Sequence, residues 1–122
     1  MKSMRCGSWT LPSRNTWSRT ASPFSDGKIH DPQRIDFMHR YLTELGRAIK
    51  EGVPVTGYYA WSLLDNFEWA DGYKQRFGLI YVDYPTGKRI PKDSFDWYRK
   101  VIASRGKLLA DKTVLPVAKL TP

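Results

Sequence analysis

Residues 53–63, VPVTGYYAWSL, constrain the fold more than any other stretch of the chain. The run is β-branched and aromatic, and it is mostly apolar rather than alternating. A half-buried strand alternates; a strand covered on both faces does not. The run therefore predicts a strand buried on both sides, as in a parallel sheet. One strand is not a sheet, and no equally convincing neighbour is present. The chain thus reads as a piece of something larger.

The flanks support this. In DPQRIDFMHRYLTELGRAIKEG, Asp31 is a candidate N-cap and Pro32 suits the first helical position. Ile35, Met38, Leu42, Leu45 and Ile49 then follow at spacings of 3, 4, 3 and 4, which is one stripe of an amphipathic helix. Gly52 is the expected stop, and His39, off the stripe, is expected on the polar face. After the buried strand, DNFEWADGYKQR reads as a loop, with turn formers at Asp65-Asn66 and Asp71-Gly72. FGLIYVDY reads as a second short strand and PTGK as a turn. PKDSFDWYRKVIAS reads as a second helix, with Phe95, Tyr98, Val101 and Ile102 on its apolar face and Gly106 as its end. The alternation indicates an α/β class. Three parts follow: residues 1–25, irregular; 26–106, patterned; and 107–122, a loose basic tail.

Charge follows the same division. The net charge is +8, which alone suggests a nucleic-acid partner. Residues 26–98 hold ten basic and eleven acidic residues, so the excess lies in the two ends. Solvated ends account for it, and no nucleic-acid partner is expected. No apolar run approaches the roughly 20 residues that span a bilayer, and the N-terminus shows no apolar signal-peptide core. No membrane partner is expected. The single cysteine, Cys6, excludes an internal disulfide and suits a reducing compartment, so the expected location is cytoplasmic. No metal-ligand spacing is present, and no metal or cofactor is expected.

The chemistry lies after the buried strand. In parallel α/β folds, ligands bind in the loops at the C-terminal ends of strands. Trp61 ends the strand, and Glu68 and Trp69 follow it by seven and eight residues. An indole face stacks on the axial C–H groups of a pyranose, and a carboxylate accepts hydrogen bonds from vicinal hydroxyls. Charge-assisted bonds of this kind contribute about 1.5–3 kcal/mol each. Residue types alone also allow a plainer reading, in which Trp61, Phe67, Trp69, Tyr73 and Phe77 are core and Glu68 is solvated.

The run GYYAWSLLDNFEWADGYKQRFGLIYVD, with RIPKDSFDWYRKVI after it and DGKIHDPQRIDFMHRYLTELGRAIKEGVP before it, resembles the C-terminal segment of glycoside hydrolase family 1, the β-glucosidases. The resemblance runs from about Asp26 to Ile102. It implies the C-terminal portion of a (β/α)8 TIM barrel, incomplete in this chain, from a retaining glycosidase that releases β-linked glucose. TGYYAWSL, residues 56–63, would be strand eight. Position by position, it implies that Trp61 stacks under the glycone ring. Glu68 would bind the 4- and 6-hydroxyls, Trp69 the 3-hydroxyl through its indole N–H, and Phe77 would close the pocket. Asp65 and Asn66 are expected to shape the loop, and Asp71 to cap a turn. The implied substrate is a β-glucoside or cello-oligosaccharide. Glu68 favours free hydroxyls over a 6-phosphate, which a carboxylate repels.

A retaining glycosidase needs two carboxyls about 5–5.5 Å apart. The family carries them in NEP and TENG, and neither string occurs here. No catalytic residue is therefore assigned. The nucleophile motif belongs just before DGKIHDP, where this chain has TWSRTASPFS. Back-translating LPSRNTWSRTASPF with free third bases, one base earlier, permits L-P-K-Y-V-V-T-N-G-F-A-F apart from its first positions. Residues up to about 24 are thus a candidate out-of-frame reading of the nucleophile region. A complete barrel of this kind takes about 250 residues, against 122 here. Unpaired strand edges then invite self-association. Two other functions fit less well. One is a non-catalytic carbohydrate-binding fragment. The other is a small glycosidase in which Glu68 pairs with Asp65 or Asp71.

Overall fold

A computed structural model describes residues 26–110. Helix α1 spans Pro32–Lys50, strand β1 Ile80–Val82, strand β2 Arg89–Pro91 and helix α2 Asp93–Ala103. Short 3-10 turns cover Trp69–Asp71 and Lys107–Ala110.

Helix α1 begins and ends where its signals place it. Pro32 occupies the first turn. At the other end Gly52 takes φ 91°, its N–H bonds to Ile49 O at 3.0 Å, and Val53 N–H reaches back to Ala48 O at 3.0 Å. That pair of bonds is a Schellman stop, and only glycine adopts its left-handed corner without cost. Asp31 does not cap α1 with its side chain. Its carboxylate instead accepts Ser94 N–H at 2.8 Å and the Ser94 hydroxyl at 2.5 Å, so it caps α2 and ties the two helix starts together. Burial raises the Asp31 pKa, against the opposing pull of those two bonds.

The core lies between the helices and β1. Ile35, Met38 and Leu42 of α1 meet Trp97 and Val101 of α2 and Leu79. Leu45 packs at its margin, while Ile49 is exposed. The buried face of α2 is Ser94, Trp97 and Val101, with Phe95 and Tyr98 half-buried and Ile102 exposed. Val101 is buried as expected and Phe95 and Tyr98 pack against the core; Trp97 joins them, and of the expected four only Ile102 is exposed. Strand β1 pairs antiparallel with β2, Tyr81 opposite Ile90. The second strand of this hairpin was not anticipated; RIP is too short to show a period.

Two expectations are corrected. Residues 53–60 form no ladder among the described residues. They are not buried on both faces, with Val53 exposed and Tyr59 93% exposed. Pairing starts only at the end of the run, where Ser62 N–H bonds Phe77 O at 3.0 Å and Leu79 N–H bonds Ser62 O at 2.8 Å. Apolar character called for neighbours on both sides, and the described residues supply one, at 77–80. Residues 107–110 are not loose. Leu108 and Leu109 pack on the core, and His39 donates from Nε2 to Leu109 O at 3.0 Å, so this histidine pins the segment rather than facing solvent. The expectations for residues 1–25 and 111–122 lie outside the described residues.

His30 supplies a pH-dependent tie between the start of α2 and the turn before α1. Its Nδ1 lies 2.6 Å from Asp93 and its Nε2 3.1 Å from Asp26. The bond to Asp93, then that to Asp26, raises the His30 pKa above its ordinary value. A raised folded pKa means that the stabilisation is complete below the unfolded value of about 6.5 and is lost as pH rises through the folded one. Urea midpoints should therefore favour the native chain over His30→Gln at pH 5.5, and that advantage should shrink by pH 8.5. An advantage independent of pH contradicts the assignment.

Candidate functional site: an aromatic pocket behind the 61–77 loop

The loop is built on one buried carboxylate. Asp65, 4% exposed, accepts Gly78 N–H at 2.9 Å and Val82 N–H at 3.3 Å. Lys92 Nζ, on a residue 1% exposed, lies 3.1 Å from it, and Arg76 Nη1 lies 3.5 Å away. The Lys92 ammonium has its pKa lowered by burial, against the pull of Asp65, and it also donates to Arg76 O at 2.7 Å. Arg76 donates to Val82 O at 2.7 Å and lies 4.0 Å from the centre of the Tyr84 ring. Asn66 donates to the Ser62 hydroxyl at 2.9 Å and to Leu64 O at 2.8 Å. Asp65 and Asn66 therefore fix the loop from inside. Sequence reasoning anticipated that role but not the Lys92 and Arg76 partners, which are 27 and 11 residues away.

The loop tip turns tightly. Glu68 N–H bonds Gly72 O at 2.7 Å, and Asp71 N–H returns to Glu68 O at 2.7 Å. Asp71 closes the turn through its main chain, its carbonyl accepting Lys74 N–H at 3.3 Å. Trp69 is held at φ 34°, a conformation that costs a bulky residue about 1–3 kcal/mol. Its ring is thereby thrown outward, 85% exposed. Trp61 is also exposed, at 66%. Two indoles left in water beside a carboxylate do not serve a core.

Trp61, Glu68 and Phe77 line one cavity of about 300 Å³. Trp61 Nε1–H points to Glu68 Oε2 at 3.4 Å. Phe37, Met38, Tyr58 and Ala60 form the apolar floor, with Arg34 beside them. Three of the four residues singled out from the sequence thus converge, and Trp69 stands outside the cavity at the turn. The Trp61–Ser62 peptide is cis.

Arg34 is the residue that sequence reasoning passed over, because it sits beside the apolar stripe of α1. It is 3% exposed and donates from Nη2 to Trp61 O at 2.9 Å. Burial lowers its pKa, with Asp31 and then Asp65 opposing the shift. Among the described residues there is no group of three His, Cys, Asp or Glu that could hold a metal ion, and no helix long and apolar enough to cross a membrane.

Known proteins resemble this chain in sequence and in fold. The 1,4-β-D-glucan glucohydrolase of Thermotoga neapolitana is 58% identical over 80 residues, and β-glucosidase A of Thermotoga maritima is 56% identical over 81. Each match takes 66% of this chain and 18% of the relative. The solved structure of the Thermotoga maritima β-glucosidase in complex with glucoimidazole superposes with a TM-score of 0.68 at 54% identity, covering 69% of this chain and 19% of that one. The chain therefore spans about a fifth of the length of these relatives. Its fold is part of their (β/α)8 barrel, with an open sheet, as the resemblance implied. Residues 15–107 match the family described as Glycosyl hydrolase family 1, and the chain belongs to that family.

Proposed function

We propose that residues 57–77 are the glycone-binding half of a β-glucoside site, and that the activity served is hydrolysis of terminal β-D-glucosides. The observation that carries the reading is the convergence of Trp61, Glu68 and Phe77 on one cavity. Its volume of about 300 Å³ lies at the small end of the usual ligand range of about 300–1,000 Å³, as suits one sugar ring. Trp61 offers an indole face to the ring, and Glu68 accepts the 4- and 6-hydroxyls in place of the Trp61 N–H. Trp69 donates its own N–H to the 3-hydroxyl from the turn, and Phe77 closes the wall. The relatives named as β-glucosidases support the sugar. The single cysteine supports a cytoplasmic setting.

In this reading these residues bind and orient the glucosyl unit. Glu68 is not half of a catalytic pair with Asp65, whose side chain has no solvent exposure and is committed to Lys92 and Arg76. The second carboxyl of a retaining site cannot come from there. The chain's own contribution is then affinity for the non-reducing glucosyl unit.

Titration with cellobiose, followed by tryptophan fluorescence, tests the site. Glu68→Gln should weaken binding about 10- to 100-fold, the loss expected when charge-assisted bonds of about 1.5–3 kcal/mol are removed. Trp61→Ala should weaken it as well. Unchanged affinity in both variants rules the site out.

A further inference from the structure

Arg34 is a buried charge with little to hold it. It is 3% exposed, its Nε and Nη1 have no hydrogen-bond acceptor, and burial lowers its pKa. Buried donors of a charged group are costly to leave unmet. The neighbouring carboxylates do not depend on it. Asp65 is met by Lys92 at 3.1 Å and Arg76 at 3.5 Å, and Asp31 by the main chain and hydroxyl of Ser94. An apolar side chain of similar volume would serve the core at least as well, as exchanges of buried charges often do. The bond that the Arg34 side chain does make leads to the site. Nη2 donates to Trp61 O at 2.9 Å, and Arg34 itself lines the cavity that Trp61, Glu68 and Phe77 share.

That bond fixes Trp61 from one side. From the other, the next residue is tied to the far wall of the cavity, Ser62 N–H to Phe77 O at 3.0 Å. Between the two ties the indole sits with Nε1–H 3.4 Å from Glu68 Oε2. Trp61 is 66% exposed, so packing alone holds it weakly. We propose that Arg34 is a positioning residue for sugar binding: through Trp61 O it sets the indole against Glu68, and it acts on affinity rather than on stability. The inference rests on the sugar-binding reading of residues 57–77. Arg34 touches no sugar atom in this role. Its effect is to order a large side chain before the ligand arrives, which removes an ordering cost worth about 3- to 10-fold in affinity.

The test makes two measurements on the whole 122-residue chain, cellobiose titration and the Trp61 indole N–H signal by NMR without sugar. Arg34→Met should keep a cooperative urea transition with a midpoint at or above the native one. It should weaken cellobiose binding about 3- to 10-fold and move or broaden the Trp61 indole signal. Arg34→Lys still offers a donor to Trp61 O and should return part of both, though not all, because it lacks the planar fork. A native chain that does not bind cellobiose removes the sugar-binding reading alone, and the sugar-free indole signal then still decides whether Arg34 holds Trp61. An indole signal unmoved in Arg34→Met overturns the proposal, and so does native affinity in that variant. So does an affinity that falls only together with the urea midpoint, or a loss of the cooperative transition, since either assigns Arg34 to the core. An Arg34→Lys chain no better than Arg34→Met overturns it as well.

Discussion

Asp65→Ala is expected to lose about 3–5 kcal/mol, the cost of removing one partner from a buried ion pair. Asp65 receives two main-chain N–H groups and faces Lys92 and Arg76, with no solvent exposure of its own side chain. Its removal strands the Lys92 ammonium, whose remaining bond is to Arg76 O. It also frees the N–H groups of Gly78, just before β1, and of Val82, at its end. Small domains hold only about 5–15 kcal/mol in total, so urea denaturation should show a chain close to unfolded. Replacing both partners, as Asp65→Leu with Lys92→Met, should recover only the part of the loss that comes from the stranded ammonium, because the Gly78 and Val82 N–H groups still lack their acceptor. A single variant within about 0.5 kcal/mol of the native chain contradicts the central place given to this carboxylate.

Gly78→Ala is expected to be comparably damaging for a different reason. Gly78 runs so close to the 64–65 segment that an added Cβ would overlap the main-chain nitrogen of Asp65 and the carbonyl carbon of Leu64, and would lie 2.7 Å from Ile80 O. All three are backbone atoms, so no side chain can swing aside. The strands must part, and with them the Asp65–Gly78 bond. Overpacking typically costs about 1–3 kcal/mol, and a rigid backbone obstacle belongs at the upper end. Loss of the loop should also abolish sugar affinity, because Trp61 and Phe77 are held in place by the Ser62–Phe77 bond on the same pair of segments. A Gly78→Ala chain that melts and binds like the native one would show that the approach is looser than described.

Local elements were legible where a residue carries its own geometric demand. Pro32 and Gly52 bracket α1 because one lacks an N–H and the other tolerates positive φ. Of the four residues that the resemblance assigns to the glycone, three line one cavity, and the resemblance rather than their spacing singled them out. What could not be read was long-range pairing. Asp31 has the composition of a local cap, yet it caps a helix 63 residues away. Arg34 looks like one more charge on α1 until its burial and its bond to Trp61 are seen. Trp97 is buried and Ile102 exposed because α2 packs against α1, a placement that the apolar stripe of α2 alone does not carry. The composition of the run at 53–60 reports the burial that a whole barrel gives, not what the described residues provide.

The central proposal is that residues 57–77 hold the glucosyl unit of a β-glucoside and supply none of the catalytic carboxyls. It is tested most directly by following 4-nitrophenyl β-D-glucoside with the purified chain by NMR. The account predicts shifts of the Trp61 and Trp69 indole N–H signals that saturate with added glucoside and need about 10- to 100-fold more of it in Glu68→Gln, and no glucose released above the rate in buffer. Release of glucose that depends on Glu68, or the absence of any indole shift at saturating glucoside, would contradict it.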